Sequence, residues 1–393
     1  MSTVCYLIRG ELVCESPVHV GFGERRGFIR LTRLFIPGSV IRGVVGAFMV
    51  RTLCERPGGP LVDHSVCEVK DGCAYARLFG EGERNRSSRV FFRFCYPVHE
   101  GCGGVYLPAP KTLMVCERCG KRYDTFEPPL KCDECGGSLR SYRYVCDKCG
   151  DLRDKPVRTF RVVSTAVDRE TYSAAVIPYP VGAGVKKAGT LHALDVIGAG
   201  SRFRLEVVVD GDCGDCVDLL VDVLRVGLPD EGVGGCSSRG LGEVRVEGLE
   251  VDEVTRDDLL ARADGIDSRD FRVRLISPLI CRPRDVYEGG LVRPETLLAC
   301  ARSAYSWAMR EGAPKLPRVE LRDWRFGLST FSGWSLKRGR RRPVEPALEA
   351  GSVFRYVSVE DERLRVALAA LEWRAVGPGK PRGCGQVRVE GVR

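Results

Sequence analysis

A ten-residue segment that occurs twice constrains this chain more than any other feature. Arg239-Gly-Leu-Gly-Glu-Val-Arg-Val-Glu-Gly248 recurs as Arg382-Gly-Cys-Gly-Gln-Val-Arg-Val-Glu-Gly391, with eight of ten positions identical and a separation of 143 residues. Each copy reads as a glycine-rich loop feeding a short strand, Val-Arg-Val, with valines on one face and arginine on the other. Glycine there permits positive φ and lets backbone amides approach a ligand closely. Two unrelated hairpin turns of similar composition would not match in both order and length, so the pattern argues for duplication.

Further anchors extend the repeat. Gly200-Ser-Arg-Phe-Arg204 opens a strand over 205–209, and Gly351-Ser-Val-Phe-Arg355 opens one over 356–359. Helical spacing of apolar residues follows in each half, over 216–228 and 360–376. Each half also begins with a strand ending in Ser-Pro, at Ser16-Pro17 and Ser277-Pro278. The order strand, variable region, strand, helix, glycine loop, strand is that of a βαββαβ ferredoxin-like unit. The Ser-Pro to Gly-Ser interval is 184 residues in the first half and 74 in the second, so the first carries about 110 extra residues. The expected fold is α+β, with two ferredoxin-like domains and a Cys-rich insertion. The boundaries read as 1–111 with 157–264 for the first domain, 112–156 for the insertion and 265–393 for the second.

At 393 residues and 44% hydrophobic content, the chain has the length and core of two or three globular domains. No stretch approaches 18 uncharged apolar residues, and a strand pattern begins at Val4, so a cytoplasmic protein without signal peptide or membrane span is expected. The net charge of +9 is compatible with a polyanionic partner and also with simple solubility. Asn85 and Gln386 are the only amides of their kinds, and scarcity of thermolabile residues points to a thermophile.

Nineteen cysteines are present, six of them in Cys-x-x-Cys pairs within one short segment: Cys116/Cys119, Cys132/Cys135 and Cys146/Cys149. Two such knuckles place four thiolates around a tetrahedral zinc at about 2.3 Å. Gly120, Gly136 and Gly150 follow the pairs as knuckle turns require. Either one pair is spare, or another such as Cys95/Cys102 completes a second site. The expected zinc is structural, since four thiolates close the coordination sphere. A redox role needs a βαβ context that this polar segment lacks. Cys213/Cys216 reads as a lone pair without metal, and disulfides remain open for scattered residues such as Cys67 and Cys73.

Ile36-Pro-Gly-Ser-Val-Ile-Arg-Gly43 precedes an apolar helical run to about Cys54. Ser39 is expected to cap that helix, and the free amides of the first turn with Arg42 form a phosphate site. The alternative is that Ser39 only caps and Arg42 only solvates. Later, 318–342 is the most basic-aromatic stretch, with Trp324, Phe326, Phe331 and Trp334 among its arginines. Lys337, Arg338, Arg340 and Arg341 suit RNA phosphates, and the aromatics suit either unstacked bases or the core.

The Ile36-Pro-Gly-Ser-x-x-Arg-Gly43 segment resembles the helix start of the CRISPR-associated RAMP superfamily, whose members bind guide RNA with ferredoxin-like folds ending in glycine-rich loops. Leu78-Phe-Gly80 is similar to a recurring tripeptide of that family. Thr165-Ala-Val-Asp-Arg-Glu-Thr171 resembles the segment before a hairpin that wedges into the guide–target duplex in type III effector complexes. The Ser332-Gly-Trp334 stretch is similar to one in the guide-end subunits. The resemblance implies an RNA-binding subunit that caps the 5′ handle of the crRNA, particularly that of subtype D. Ser39, Arg42, Arg169, Arg239, Gly240 and Gly242 would contact RNA, with the first glycine loop gripping and the second architectural. The implied partners are crRNA, target RNA, other RAMP backbone subunits and the large signalling subunit.

Two nuclease mechanisms occur in that family. Target-cutting members carry an aspartate before the Pro-Gly-Ser helix, whereas here that loop offers only Glu24. Guide-processing members often use a histidine, and of His19, His64, His99 and His192 only His19 sits in a plausible loop. No partner base lies at readable spacing. A non-catalytic subunit is therefore the expectation, with a target-RNA endonuclease or a standalone guide-processing endoribonuclease as alternatives.

Overall fold

The computed structural model describes residues 2–57, 59, 62–69, 72–80, 88–181, 184–282, 292–335 and 339–391. Its first half contains β1 (Thr3–Cys14), α1 (Gly38–Leu53), β2 (Val90–Phe92), β3 (Arg202–Asp210), α2 (Val217–Glu231) and β4 (Val244–Thr255). These strands form one antiparallel sheet in the order β4-β1-β3-β2, the ferredoxin-like arrangement. A connecting helix, α3 (Arg256–Asp264), starts on a capping box between Thr255 and Asp258. The second half repeats the plan with β5 (Asp270–Leu275), α4 (Pro294–Met309), β6 (Glu320–Arg325), β7 (Val353–Val357), α5 (Glu362–Arg374) and β8 (Val387–Gly391). Its sheet order, β8-β5-β7-β6, is the same.

The period of two along each strand decides what covers the sheet. In the first unit Ile8, Leu12, Val207 and Val209 pack with Ile41, Val45, Leu220 and Leu224 of α1 and α2. Leu7, Phe91 and Val208, one position off, point to the opposite face and join Ala301, Trp307 and Leu368 of the second unit. One face of this sheet is thus covered by its own helices, and the other is partly covered by the second unit. Polar contacts close the seam: Trp307 Nε1 donates to Asp210 at 3.0 Å, Arg310 to the same carboxylate at 2.8 Å, and Arg93 to the Glu372 carbonyl at 2.9 Å.

In the second unit Phe271, Val273 and Leu275 face the core, and Arg272 and Arg274 occupy the other face. That face is covered by the Cys-rich segment. Arg272 lies over the Phe126 ring at 5.1 Å and pairs with Asp124 at 3.3 Å, and Arg325 donates to the Phe126 carbonyl at 2.9 Å. The segment therefore belongs by sequence to the first half and by contact to both.

The ends of elements depart from the sequence pattern where a cap or a positive φ intervenes. The expected helix 216–228 runs on to Glu231 and stops at Gly232, φ +71°. The expected helix 360–376 is shorter, because Asp361 accepts from the Leu364 amide at 2.7 Å and Ala375 turns to φ +64°. Ser39 is not the cap of α1. Pro37 holds that position, the helix has begun by Gly38, and Ser39 lies within its first turn without a capping hydrogen bond. The strands begin earlier than the glycine anchors suggested, at Arg202 and Val353.

Candidate nucleic-acid interface and metal centres

The repeated loop is a conformational repeat as well as a textual one. Positive φ occurs at Gly232, Gly234, Cys236, Gly240 and Gly242, and again at Ala375, Gly377, Gly379, Gly383 and Gly385. Every member of the second set lies 143 residues after its counterpart, so the geometry extends seven residues upstream of the identical text. A left-handed backbone favours glycine because an added Cβ crowds the following carbonyl. The bonding repeats too. Gly242 donates to the Pro17 carbonyl at 3.0 Å, and Gly385 to that of Pro278 at 2.9 Å. The two Ser-Pro anchors are thus the docking points of the two glycine loops.

This bonding changes the role expected of Gly240 and Gly242. The Gly240 amide donates to the Ser237 carbonyl at 3.0 Å, and that of Gly242 is taken by Pro17. Neither amide faces a ligand. They hold a rigid turn whose outward group is the exposed Arg239 side chain, with Nη1 3.2 Å from His192 Nε2. Two residues before His192, the Thr190 hydroxyl receives the Ala166 amide at 3.1 Å. This ties the loop to the turn bearing Arg169, where Asp168 accepts from the Thr171 and Glu170 amides at 2.8 and 3.0 Å. Those amides hold the Asp168 carboxyl below its ordinary range. Arg169 is exposed on that turn, ahead of a hairpin formed by Val176–Val181 and Gly184–Gly189.

The second loop has the same backbone in a different environment. A Cβ on Gly240 would meet nothing within 4 Å, whereas one on Gly383 would reach the Phe94 ring at 2.8 Å. Arg382 is nearly buried, stacked 5.1 Å from the Phe331 ring and bonded to Glu345 at 3.3 Å. Beside this loop lies a cavity of about 760 Å³ whose walls include Arg282, Arg342, Arg374, Lys380 and Arg382, with Glu345 the sole acid among the described lining residues. Burial lowers Lys380 to about 8.

Arg42 belongs to this second neighbourhood and not to an open helix start. Its guanidinium stacks 4.3 Å from the Phe79 ring and donates to the Phe79 carbonyl at 3.3 Å and to Ser88 at 3.5 Å. Burial lowers its pKa to about 10. Ser88 and Arg342 line the same cavity. The expected RNA contacts therefore divide between two sites, Arg169 and Arg239 at the first loop and Arg42 near the second. Arg340 and Arg341 lie exposed on a short strand whose Arg341 pairs with the exposed Trp334. Lys337 and Arg338 lie outside the described residues. Of the aromatics in this stretch, Phe331 is core, while Trp324 and Trp334 are exposed.

The Cys-rich segment, with His99 and Cys102 of the first unit, builds two four-ligand clusters. In the first, Cys116, Cys119, Cys132 and Cys135 bring their sulfurs within 4.8 Å of one another, with Cys116–Cys135 at 3.4 Å and Cys119–Cys132 at 3.5 Å. Four sulfurs at a tetrahedral zinc stand roughly 3.8 Å apart, so the set fits. The knuckle amides of Gly120 and Gly136 close onto the Cys116 and Cys132 carbonyls at 3.0 and 2.8 Å. The Tyr123 hydroxyl, 3.2 Å away, leads the effects that lower the Cys132 thiol to about 6, favouring the thiolate a metal needs.

The second cluster corrects the sequence expectation. Cys146 and Cys149 are completed by Cys102 and His99, and Cys95 is buried in the first unit's core. His99 Nδ1 lies 3.3 Å from both the Cys102 and Cys149 sulfurs. His99-Glu-Gly-Cys102-Gly103 has the spacing of a knuckle, and Gly103, φ +68°, donates to the His99 carbonyl at 2.8 Å as the other knuckle glycines do. That signal was present in the sequence, but a search restricted to cysteine pairs passes over it. The Cys213/Cys216 thiols do gather near Asp215. However, Arg77 pairs with that carboxylate, and burial raises Cys213 to about 12.

His19 is buried at 7% exposure, with Nδ1 2.9 Å from the Asp195 carbonyl and its own carbonyl taken by Gly235 at 2.9 Å. It supports the first glycine loop from below. No helix among the described residues is long and apolar enough to cross a membrane.

Known proteins resemble this chain to different extents. A solved chain from a type III-B Cmr-beta complex bound to cognate target RNA is 16% identical with a TM-score of 0.33, covering 64% of this chain and 62% of its own length. A Cas6 product complex is 12% identical with a TM-score of 0.40, covering 99% of this chain and 100% of its own. No curated protein matches. The family model of the RAMP superfamily matches residues 11–245, more than half of the sequence. The chain belongs to the RAMP superfamily.

Proposed function

We propose that this chain is a non-catalytic RNA-binding subunit of a type III CRISPR ribonucleoprotein that caps the 5′ handle of the crRNA. It would sit between RAMP backbone subunits and the large signalling subunit, with target RNA passing the Asp168-Arg169 turn. The observation that carries the reading is the first glycine loop, a rigid turn that presents Arg239 to solvent with its amides satisfied internally. A guanidinium on a preorganised support contacts phosphate without ordering a loop on binding. The Cys-rich clusters would hold two zinc ions, each with a closed set of four ligands and a structural role. We divide the chain at 1–111 with 157–264, 112–156 and 265–393.

His19 supports the non-catalytic reading, since its ring is buried. One observation favours a guide-processing endoribonuclease instead: His192, half-exposed, stands 3.2 Å from the Arg239 guanidinium. Equilibrium binding of a crRNA with and without its 5′ handle tests the main reading. Arg239→Ala should weaken binding and reduce the salt slope by about one phosphate contact. Affinity that is insensitive to this substitution and to the handle would sink it. Metal-independent cleavage of repeat RNA, lost in His192→Ala, would establish the endoribonuclease.

A further inference from the structure

A cleft of about 420 Å³ opens where the two ferredoxin-like units and the Cys-rich segment meet. The first unit contributes Arg33 and Phe35, the Cys-rich segment Tyr142 and Arg143, and the second unit Arg325 and Phe326. Each part thus supplies a guanidinium and at least one aromatic ring. The rings are held in place. Phe35 packs 5.4 Å from Phe94 and 5.5 Å from Tyr96, and the Tyr96 hydroxyl donates to the Ile276 carbonyl across the unit boundary. Arg140 lies 4.9 Å from the Tyr142 ring. Arg325 is fixed at the mouth by its 2.9 Å bond to the Phe126 carbonyl.

The charge is one-sided. Glu349 is the single carboxylate among the described lining residues, and Lys111 matches it at 2.8 Å. Arg33 lies 5.7 Å over the Phe35 ring, and the guanidiniums of Arg143 and Arg325 border the rest of a space of ligand size. A purely apolar ligand would leave the positive charge of Arg143 and Arg325 unmatched, and an inorganic anion would have no use for the rings. A nucleotide satisfies both, since its base offers a π face to aromatic walls and its phosphate a bidentate acceptor for arginine. We propose that this cleft binds one nucleotide, with the base among Phe35, Tyr142 and Phe326 and the phosphate toward Arg143 and Arg325. The cleft shares no lining residue with the cavity beside the second glycine loop. Where the nucleotide is part of an RNA, the proposal rests on the RNA-binding reading above.

The test uses the full metal-loaded chain with single-stranded RNA in one arm and free AMP or ATP in the other. Ultraviolet cross-linking followed by peptide mapping should place the adduct on a peptide containing Tyr142 or Phe326. Tyr142→Ala and Arg143→Ala alter side chains at the rim, so melting temperature and metal content should match the parent. Each should lower affinity roughly five- to a hundredfold, the loss of one stacked base or one phosphate contact. A cross-link in the RNA arm alone identifies an RNA-borne nucleotide, and one in both arms a free mononucleotide site. RNA bound with unchanged affinity in both variants, and cross-linked elsewhere, overturns the cleft and leaves the RNA reading intact. A free nucleotide bound in the cleft by a chain that ignores RNA does the reverse. Binding of neither overturns both.

Discussion

The Gln386 backbone N–H donates to the Ser277 hydroxyl at 2.9 Å, inside the second unit. The same bond joins Glu243 to Ser16 at 2.9 Å in the first. One hydroxyl thus anchors each glycine loop to the end of its unit's first strand. Ser277 is fully buried and Ser16 half-buried. Ser277→Ala should cost on the order of 2 kcal/mol, because it orphans a buried amide, and Ser16→Ala about 1 or less, because water can replace the hydroxyl. Urea unfolding of the two variants measures the difference, and equal costs would contradict this account.

The two glycines of the first loop should respond differently to alanine. Gly240, φ +75°, has open space around its missing Cβ, whereas Gly242, φ +91°, faces the Val233 backbone. Gly240→Ala should cost roughly 1 kcal/mol of backbone strain, and Gly242→Ala several times more because the loop must also move. Thermal melting ranks them.

Metal content follows from the two ligand sets. Native mass spectrometry of the intact chain should find two zinc ions. His99→Ala should leave one, and Cys132→Ser should remove the other while sparing the His99 site. Chelation should also loosen the cover over Arg272, which protease sensitivity of the second unit would report.

Lys380 supplies a pH dependence. Its amine is lowered to about 8 in the folded chain, chiefly by burial, while an unfolded lysine titrates near 10.4. Between those values the unfolded state binds more protons, so this group makes stability rise with pH across the window. Below about 8 both states are protonated and the folded one bears the full burial cost. Lys380→Met should therefore stabilise the chain at pH 7, on the order of 2 kcal/mol. The advantage should shrink above pH 9. A difference that stays constant across pH 7 to 10 would exclude the effect.

The duplication, the order of elements and three of the four knuckles are legible in the residues themselves. These features are local: a positive φ selects glycine, a period of two or 3.6 selects strand or helix, and a knuckle closes within five residues. The tertiary structure decided what each local form faces. Gly240 and Gly383 share text and backbone, yet one lies open and the other packs on Phe94, because docking the second unit onto the first breaks their equivalence. The same long-range packing turned Arg42 onto Phe79, brought His99 to Cys146 and laid Phe126 over Arg272. Sequence sets conformation through contacts a few residues apart. Exposure depends on surfaces hundreds of residues apart, and those meet only in the folded chain.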